Sequence, residues 1–275
     1  KSILITGCSS GIGRDAALTL HKRGWQVFAT ARKDADLDAL RAAGMTALYL
    51  DYSEPDSIEA ALNAVLAKTG GRLDALFNNG AMAIPGAMED LPTGALREIF
   101  ECNVFGWHEL TRRVIPVMRR QGSGRIVNHS SVLGVVTLPW RGAYNATKFA
   151  IEGLTDTLRV EMRDTPIHVV TLNTGPVTSM LRQNSIPHFE RWVDWQASAR
   201  RADYEDRLLA RLHDTRDKPD TFELPPNAVT RKLIRALESR RPRARYRITV
   251  PSHLMEAARR LLSTRARDWL LAKGL

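Results

Sequence analysis

The chain has 275 residues, 44% of them apolar and 25% charged, with 18 glycines and 13 prolines. That composition argues against a disordered or fibrous chain and suits one large α/β domain with a sizeable core. The two cysteines, Cys8 and Cys102, stand far apart with no CxxC and no neighbouring His pair, which argues against a disulfide framework and a zinc site and fits a reducing compartment. Of the net charge of +10, residues 180–275 carry +9, with 21 Lys/Arg against 12 Asp/Glu. Such a skew reads first as a solvated basic surface, with nucleic acid, anionic membrane or anionic ligand as the sharper alternatives.

Residues 1–179 alternate short apolar or β-branched runs with helical patterns, which predicts right-handed βαβ units around a parallel sheet. The first strand, Ser2 to Thr6, runs into Thr6-Gly7-Cys8-Ser9-Ser10-Gly11-Ile12-Gly13 and a helix starting near Gly11. Glycines let a backbone turn tightly against a pyrophosphate, and a helix N-terminus offers free N–H groups and a positive dipole end. Gly7, Ser9, Ser10, Gly11, Ile12 and Gly13 are therefore the predicted dinucleotide cradle. The second strand, Gln26 to Thr30, ends in Ala31-Arg32 rather than in the acid that would bind a ribose 2′-hydroxyl. Arg32 as a bidentate partner for a 2′-phosphate predicts NADP(H) over NAD(H); an exposed loop arginine is the alternative.

A third strand, Thr46 to Leu50, ends at Asp51, and a helix follows from near Pro55. The fourth, Ala75 to Asn78, enters Asn78-Asn79-Gly80-Ala81, and a helical stretch from Thr93 leads to Asn103. The fifth, Arg125 to Asn128, precedes Ser130 and Ser131. A long helix from Gly142 into Met162 carries Tyr144 and Lys148 four residues apart, hence on one face. An ammonium there stabilises phenolate, so the phenol could exchange a proton near neutral pH. Taken alone, the same spacing also suits a solvated helix face. The sixth strand is Ile167 to Leu172. Residues 177–225 then lose strand periodicity and read as an excursion over the sheet. Behind them come a helix from Pro226 to Ser239, a final edge strand from Arg245 to Val250 and an Arg-rich helix over 254–272.

With the G-x3-G-x-G turn, Asn78-Asn79-Gly80-Ala81, Asn103, Ser131 and Tyr144/Lys148 in that order, residues 1–179 resemble a short-chain dehydrogenase/reductase. The family's serine lies thirteen positions before its tyrosine, which selects Ser131 over Ser130. The resemblance implies a single Rossmann-type domain, a doubly wound parallel sheet with helices on both faces. Its cofactor and catalytic core is 1–179 and its substrate-loop extension 180–275. It also implies roles. Ser131 holds the substrate carbonyl, Tyr144 transfers its proton, Lys148 binds nicotinamide ribose while lowering the tyrosine pKa, and Asn103 positions a water. Asp51 is placed against adenine, Asn78 and Gly80 beside the cofactor, and Gly175, Val177 and Ser179 along its nicotinamide side. Two departures stand out: the usual Asn-Asn-Ala-Gly is transposed to Asn78-Asn79-Gly80-Ala81, and the usual Pro-Gly is Thr174-Gly175.

Arg241 to Tyr246, the Cys-Ser-Ser turn and Ala29-Thr30-Ala31-Arg32 resemble the branch of that family containing 17β-hydroxysteroid and retinol dehydrogenases. It implies an NADP(H)-dependent alcohol dehydrogenase or carbonyl reductase for hydrophobic aldehydes, ketones, retinoids or steroids. Met82, Leu138 and Trp140 are the candidate substrate walls, with Pro139, Ile84 and Met88 nearby; such residues equally pack an excursion onto a sheet. A catalytically silent NADP(H)-binding regulator is the second reading. The histidines His129, His188 and His213 lack ligand spacing and an obvious partner, so no metal is expected. No nucleic-acid module is present. A peripheral membrane contact through the basic last third, a homodimer or homotetramer, and a cytoplasmic location are the remaining expectations. The start at Lys1, almost inside a strand, reads as a chain lacking a few N-terminal residues and leaves room for a removed leader.

Overall fold

The computed structural model describes residues 1–214 and 219–273. Seven strands form one parallel sheet in the order β3-β2-β1-β4-β5-β6-β7. They are β1 (Ser2–Ile5), β2 (Gln26–Ala31), β3 (Thr46–Tyr49), β4 (Ala75–Asn78), β5 (Gly124–Ser131), β6 (Ile167–Thr174) and β7 (Arg245–Arg247). The chain winds outward from β1 to β3 and then returns to place β4 on the other side of β1. The strand order therefore reverses between β1 and β4, and open α/β sheets bind ligands in the crevice at such a point.

One face of the sheet is covered by α1 (Gly11–Lys22), α2 (Asp34–Ala42) and the helix Asn227–Glu238. Ala16, Leu20, Leu37, Leu40, Val229 and Leu233 pack there against Ile3, Val27 and Val127. The other face carries α3 (Pro55–Thr69), α5 (Gly106–Gln121) and α6 (Gly142–Glu161), through Ile58, Val65, Leu110, Val114 and Ile151. Strands buried on both faces read as continuous apolar runs, as in the fully buried Ser2-Ile3-Leu4-Ile5. This is the doubly wound fold expected from the alternation.

The differences lie at element ends. β5 continues to Ser131, beyond the expected Asn128, because Asn128 through Ser131 pair with Thr171 through Thr174 of β6. The pairing carries both serines to the carboxyl edge of the sheet. β7 stops at Arg247, short of the expected Val250, because Thr249 caps the next helix, accepting a hydrogen bond from Ser252 N–H. The expected helix over 254–272 is two, Val250–Leu261 and Thr264–Lys273. The excursion holds α7 (Leu181–Trp192) and further helical turns to Leu212. Its Phe189, Tyr204 and Leu208 form a third apolar cluster with Ile84 and Ile99. No helix among the described residues is long and apolar enough to cross a membrane.

Candidate active site

The glycine turn is held from both sides. Gly7 (φ +68) and Gly11 (φ +53) occupy left-handed backbone, and a Cβ on Gly13 would lie 2.1 Å from the Gly7 carbonyl oxygen. Thr6 Oγ1 accepts from Asn79 N–H at 2.9 Å and Gly80 N–H at 3.1 Å, and it lies 2.7 Å from the Tyr52 hydroxyl. Asn79 Nδ2 donates back to the carbonyls of Thr6 and Gly7, at 2.9 and 3.3 Å. At the start of α1, Ser10 makes no side-chain cap and the first turn holds no acid. The first N–H groups of α1 thus lack a side-chain acceptor, which together with the glycine turn fits a diphosphate.

A cleft runs from this turn along the carboxyl ends of the strands. Gly7, Ser9, Ser10, Gly11, Ile12 and Gly13 line it; so do Arg32 and Asp51 at one end and Gly80, Met82, Tyr144, Lys148 and Ser179 toward the other. Arg32 Nη1 lies 3.3 Å from Asp51 Oδ2, and its side chain is 58% exposed. Burial alone would raise the Asp51 pKa. The N–H and hydroxyl of Ser53, then Arg32, outweigh it and hold the carboxyl below its usual range.

Tyr144 and Lys148 stand one turn apart on α6, as their spacing predicts. Ser131 stands beside Tyr144, near enough to favour its phenolate, and its Oγ accepts from Leu133 N–H at 3.1 Å. Lys148 Nζ donates to the His129 carbonyl at 2.9 Å and sits 4.6 Å from the Trp107 ring centroid and 5.4 Å from that of Tyr144. Burial pulls the Lys148 pKa down to about 8. Tyr144 departs from the expectation of a lysine-lowered pKa. Burial pushes the phenol above its usual range, and the opposing influences are the Arg141 charge and the Ser131 hydroxyl.

Asn103 sits in a π-helical turn, Glu101–Phe105, that joins α4 (Thr93–Phe100) to α5. Fully buried, it clamps Met82, accepting from its N–H at 2.9 Å and donating to its carbonyl at 2.8 Å, and it donates to Thr147 Oγ1 at 3.2 Å. It therefore ties the loop after β4 to the helix carrying Tyr144.

Beyond Tyr144 lies a second cavity of about 600 Å³, whose wall includes Ser131, Leu138, Tyr144, Gly175 and Val177. Ile12, His129, Tyr144, Ser179 and Leu181 border both spaces. Tyr144 thus stands where the cleft opens into the cavity. Three expected positions differ. Asn78 is fully buried inside the sheet, bonded to Tyr52 OH, Thr111 Oγ1 and Asn128 Oδ1, and it is Asn79 that faces the cleft. Met82 lines the cleft but not the cavity. Trp140, at φ 62, packs edge-on against Tyr204 with ring centroids 4.9 Å apart and borders a separate groove with Met88 and Leu271. Leu138 alone of the three candidate walls lines the cavity.

His129 and His188 also have partners that sequence spacing did not reveal. His188 Nδ1 meets Glu98 at 2.9 Å. His129 bridges Asn79 Oδ1 and Thr174 Oγ1, both at 3.0 Å, and burial and then the Lys148 charge lower its pKa to about 3. A buried neutral imidazole thus links the glycine turn to the Thr174-Gly175 departure. Among the described residues, no group of three His, Cys, Asp or Glu could hold a metal ion.

Comparison with known proteins places these features in a family. A family model described as short chain dehydrogenase matches residues 1–188. An uncharacterized oxidoreductase YbbO of Escherichia coli is 35% identical over 271 residues, 98% of this chain and 94% of that protein. Human retinol dehydrogenase 8 is 33% identical over 204 residues, 69% of this chain and 64% of that protein. Among solved structures, a Burkholderia phymatum short chain dehydrogenase/reductase in complex with NAD aligns with a TM-score of 0.76 at 26% identity, covering 99% of this chain and 95% of that one. An actinorhodin polyketide ketoreductase with NADPH aligns at 0.69 and 29% identity, covering 87% and 90%.

Proposed function

Since the chain belongs to the short-chain dehydrogenase/reductase family of nicotinamide-dependent oxidoreductases, we propose that it is an NADP(H)-dependent carbonyl reductase or alcohol dehydrogenase for hydrophobic substrates. The observation that carries this is the position of Tyr144, beside Ser131 on the wall shared by a diphosphate-fitting cleft and a separate cavity.

A nicotinamide dinucleotide in the cleft would supply or accept the hydride. The glycine turn and the start of α1 would hold its diphosphate, and Lys148 its ribose. In reduction, Tyr144 holds the proton at Oη and passes it to the carbonyl oxygen as charge grows there; a phenol kept protonated by burial suits that role. Ser131 orients the same oxygen. Lys148, 5.4 Å from the Tyr144 ring, stabilises the phenolate left behind. Leu138 and Val136 keep water from the reacting carbon.

Preference for NADP(H) rests on Arg32 and on the lack of an acid at Ala31. A retinoid- or steroid-like substrate class rests on the apolar cavity walls and on the likeness to retinol dehydrogenase 8. Homo-oligomeric assembly follows from the family likeness, and it and a cytoplasmic location complete the proposal. So does peripheral membrane contact, which the exposed Leu254, Leu261 and Trp269 beside arginines would support. The test is a matched NADPH and NADH oxidation screen over aldehydes, ketones, retinoids and steroids. Turnover favouring NADPH supports the reading; tight NADPH binding without turnover of any carbonyl would favour a silent regulator.

A further inference from the structure

The cavity beyond Tyr144 is not purely apolar. Its wall includes the arginines Arg141, Arg182 and Arg211 and the acids Asp220 and Glu223. The acids already have partners. Asp220 pairs with Arg211, and Glu223 accepts from Thr178 Oγ1 at 2.7 Å and from Asp220 N–H at 2.8 Å. Arg211 also reaches Asp214 at 3.5 Å.

Arg141 and Arg182 are left over. The Nε and Nη1 atoms of Arg182 are buried with no hydrogen-bond partner among the described residues. The side chain of Arg141, the N-cap residue of α6 three positions before Tyr144, likewise makes no hydrogen bond or ion pair with them. Burial, then the nearby positive charges of Arg211 and Arg182, lower its pKa. Two guanidinium groups on the wall of one space, with the buried Nε and Nη1 of Arg182 lacking an acceptor among the described residues, are unfavourable unless an anion joins them. The guanidinium fork matches the two oxygens of a carboxylate.

We propose that Arg141 and Arg182 form an oxyanion subsite, so that the preferred substrates are aliphatic carbonyl compounds bearing a carboxylate or equivalent oxyanion a few bonds from the reacting carbonyl. The short separation follows from Arg141 lying within one helical turn of Tyr144. The inference rests on the reading of this cavity as the substrate site, and it narrows the class from neutral apolar carbonyls to amphipathic ones.

Two measurements test it. Turnover of 4-oxononanoate is compared with that of its methyl ester, and binding of nonanoate with that of methyl nonanoate by calorimetry, in the wild type, Arg182→Met and Arg182→Lys. The expected result is at least about tenfold preference for the acid in kcat/KM and in Kd. Arg182→Met should cut the preference by about that factor, and Arg182→Lys should keep most of it. Equal handling of acid and ester by the wild type, or a preference unchanged in Arg182→Met, overturns the subsite. If neither keto compound turns over while nonanoate still binds in an Arg182-dependent way, the subsite stands and the carbonyl reductase reading falls.

Discussion

The Lys148 ammonium donates to the His129 carbonyl oxygen at 2.9 Å, while the imidazole of the same residue spans Asn79 and Thr174. Asn79 Nδ2 is spent on the carbonyls of Thr6 and Gly7, so its Oδ1 must accept, which assigns the His129 proton to Nδ1 and makes Nε2 an acceptor for Thr174 Oγ1. One residue of β5 therefore anchors the lysine proposed to stabilise the Tyr144 phenolate and braces the glycine turn.

This neutral imidazole makes the fold acid-sensitive. Its pKa falls from 6.5 to about 3 on folding, so between those values the unfolded chain binds the extra proton. The stabilisation is complete above pH 6.5 and is lost as pH falls toward 3. Wild type should lose up to about 1.4 kcal/mol more stability per pH unit in that window than His129→Gln. Urea unfolding at pH 7, 6, 5 and 4.5 measures the difference, and parallel curves for the two proteins would refute the assignment.

Gly13 admits no side chain, since a Cβ would meet the Gly7 carbonyl at 2.1 Å. Gly13→Ala should cost about 1–3 kcal/mol of stability through overpacking and weaken dinucleotide binding by more than about tenfold. Thermal unfolding and fluorescence titration with NADPH read the two effects.

Arg32 offers its guanidinium at the end of the cleft beside Asp51. Arg32→Ala should weaken NADPH binding about 10- to 100-fold, the size of a lost hydrogen bond to a charged group. NADH affinity should move by less than about threefold. Equal losses for both dinucleotides would show that Arg32 does not read the 2′-phosphate.

Asn103 satisfies both the N–H and the carbonyl of Met82. Asn103→Ala leaves these backbone groups without that partner, at a cost of about 1–3 kcal/mol each, and frees the loop on which Met82 approaches the cleft. Both the melting temperature and kcat should fall. A variant as stable as wild type would show that the clamp contributes nothing.

What was legible in the chain was what is local. Tyr144 and Lys148 share a helix face by spacing alone, and the glycine turn announces itself between a strand and a helix. The polar run Asn128-His129-Ser130-Ser131 carries no strand periodicity, and only its pairing with β6 extends β5 through it. Asn78 is the last residue of β4 and pairs with Asn128 inside the sheet, and Asn79, just past the strand, faces the cleft. Trp140 looked like a pocket wall, yet its ring is taken up by Tyr204, 64 positions away in sequence. The partners of His129 and the meeting of Arg141 with Arg182 are equally non-local, so no spacing rule reaches them.

The central claim is that Tyr144 moves the proton, and Tyr144→Phe tests it most directly, assayed for NADPH oxidation with the best carbonyl substrate of the screen. The prediction is a fall in kcat of at least about 10²-fold, with the NADPH dissociation constant within about threefold of wild type. Turnover within about threefold of wild type on every active substrate would contradict it.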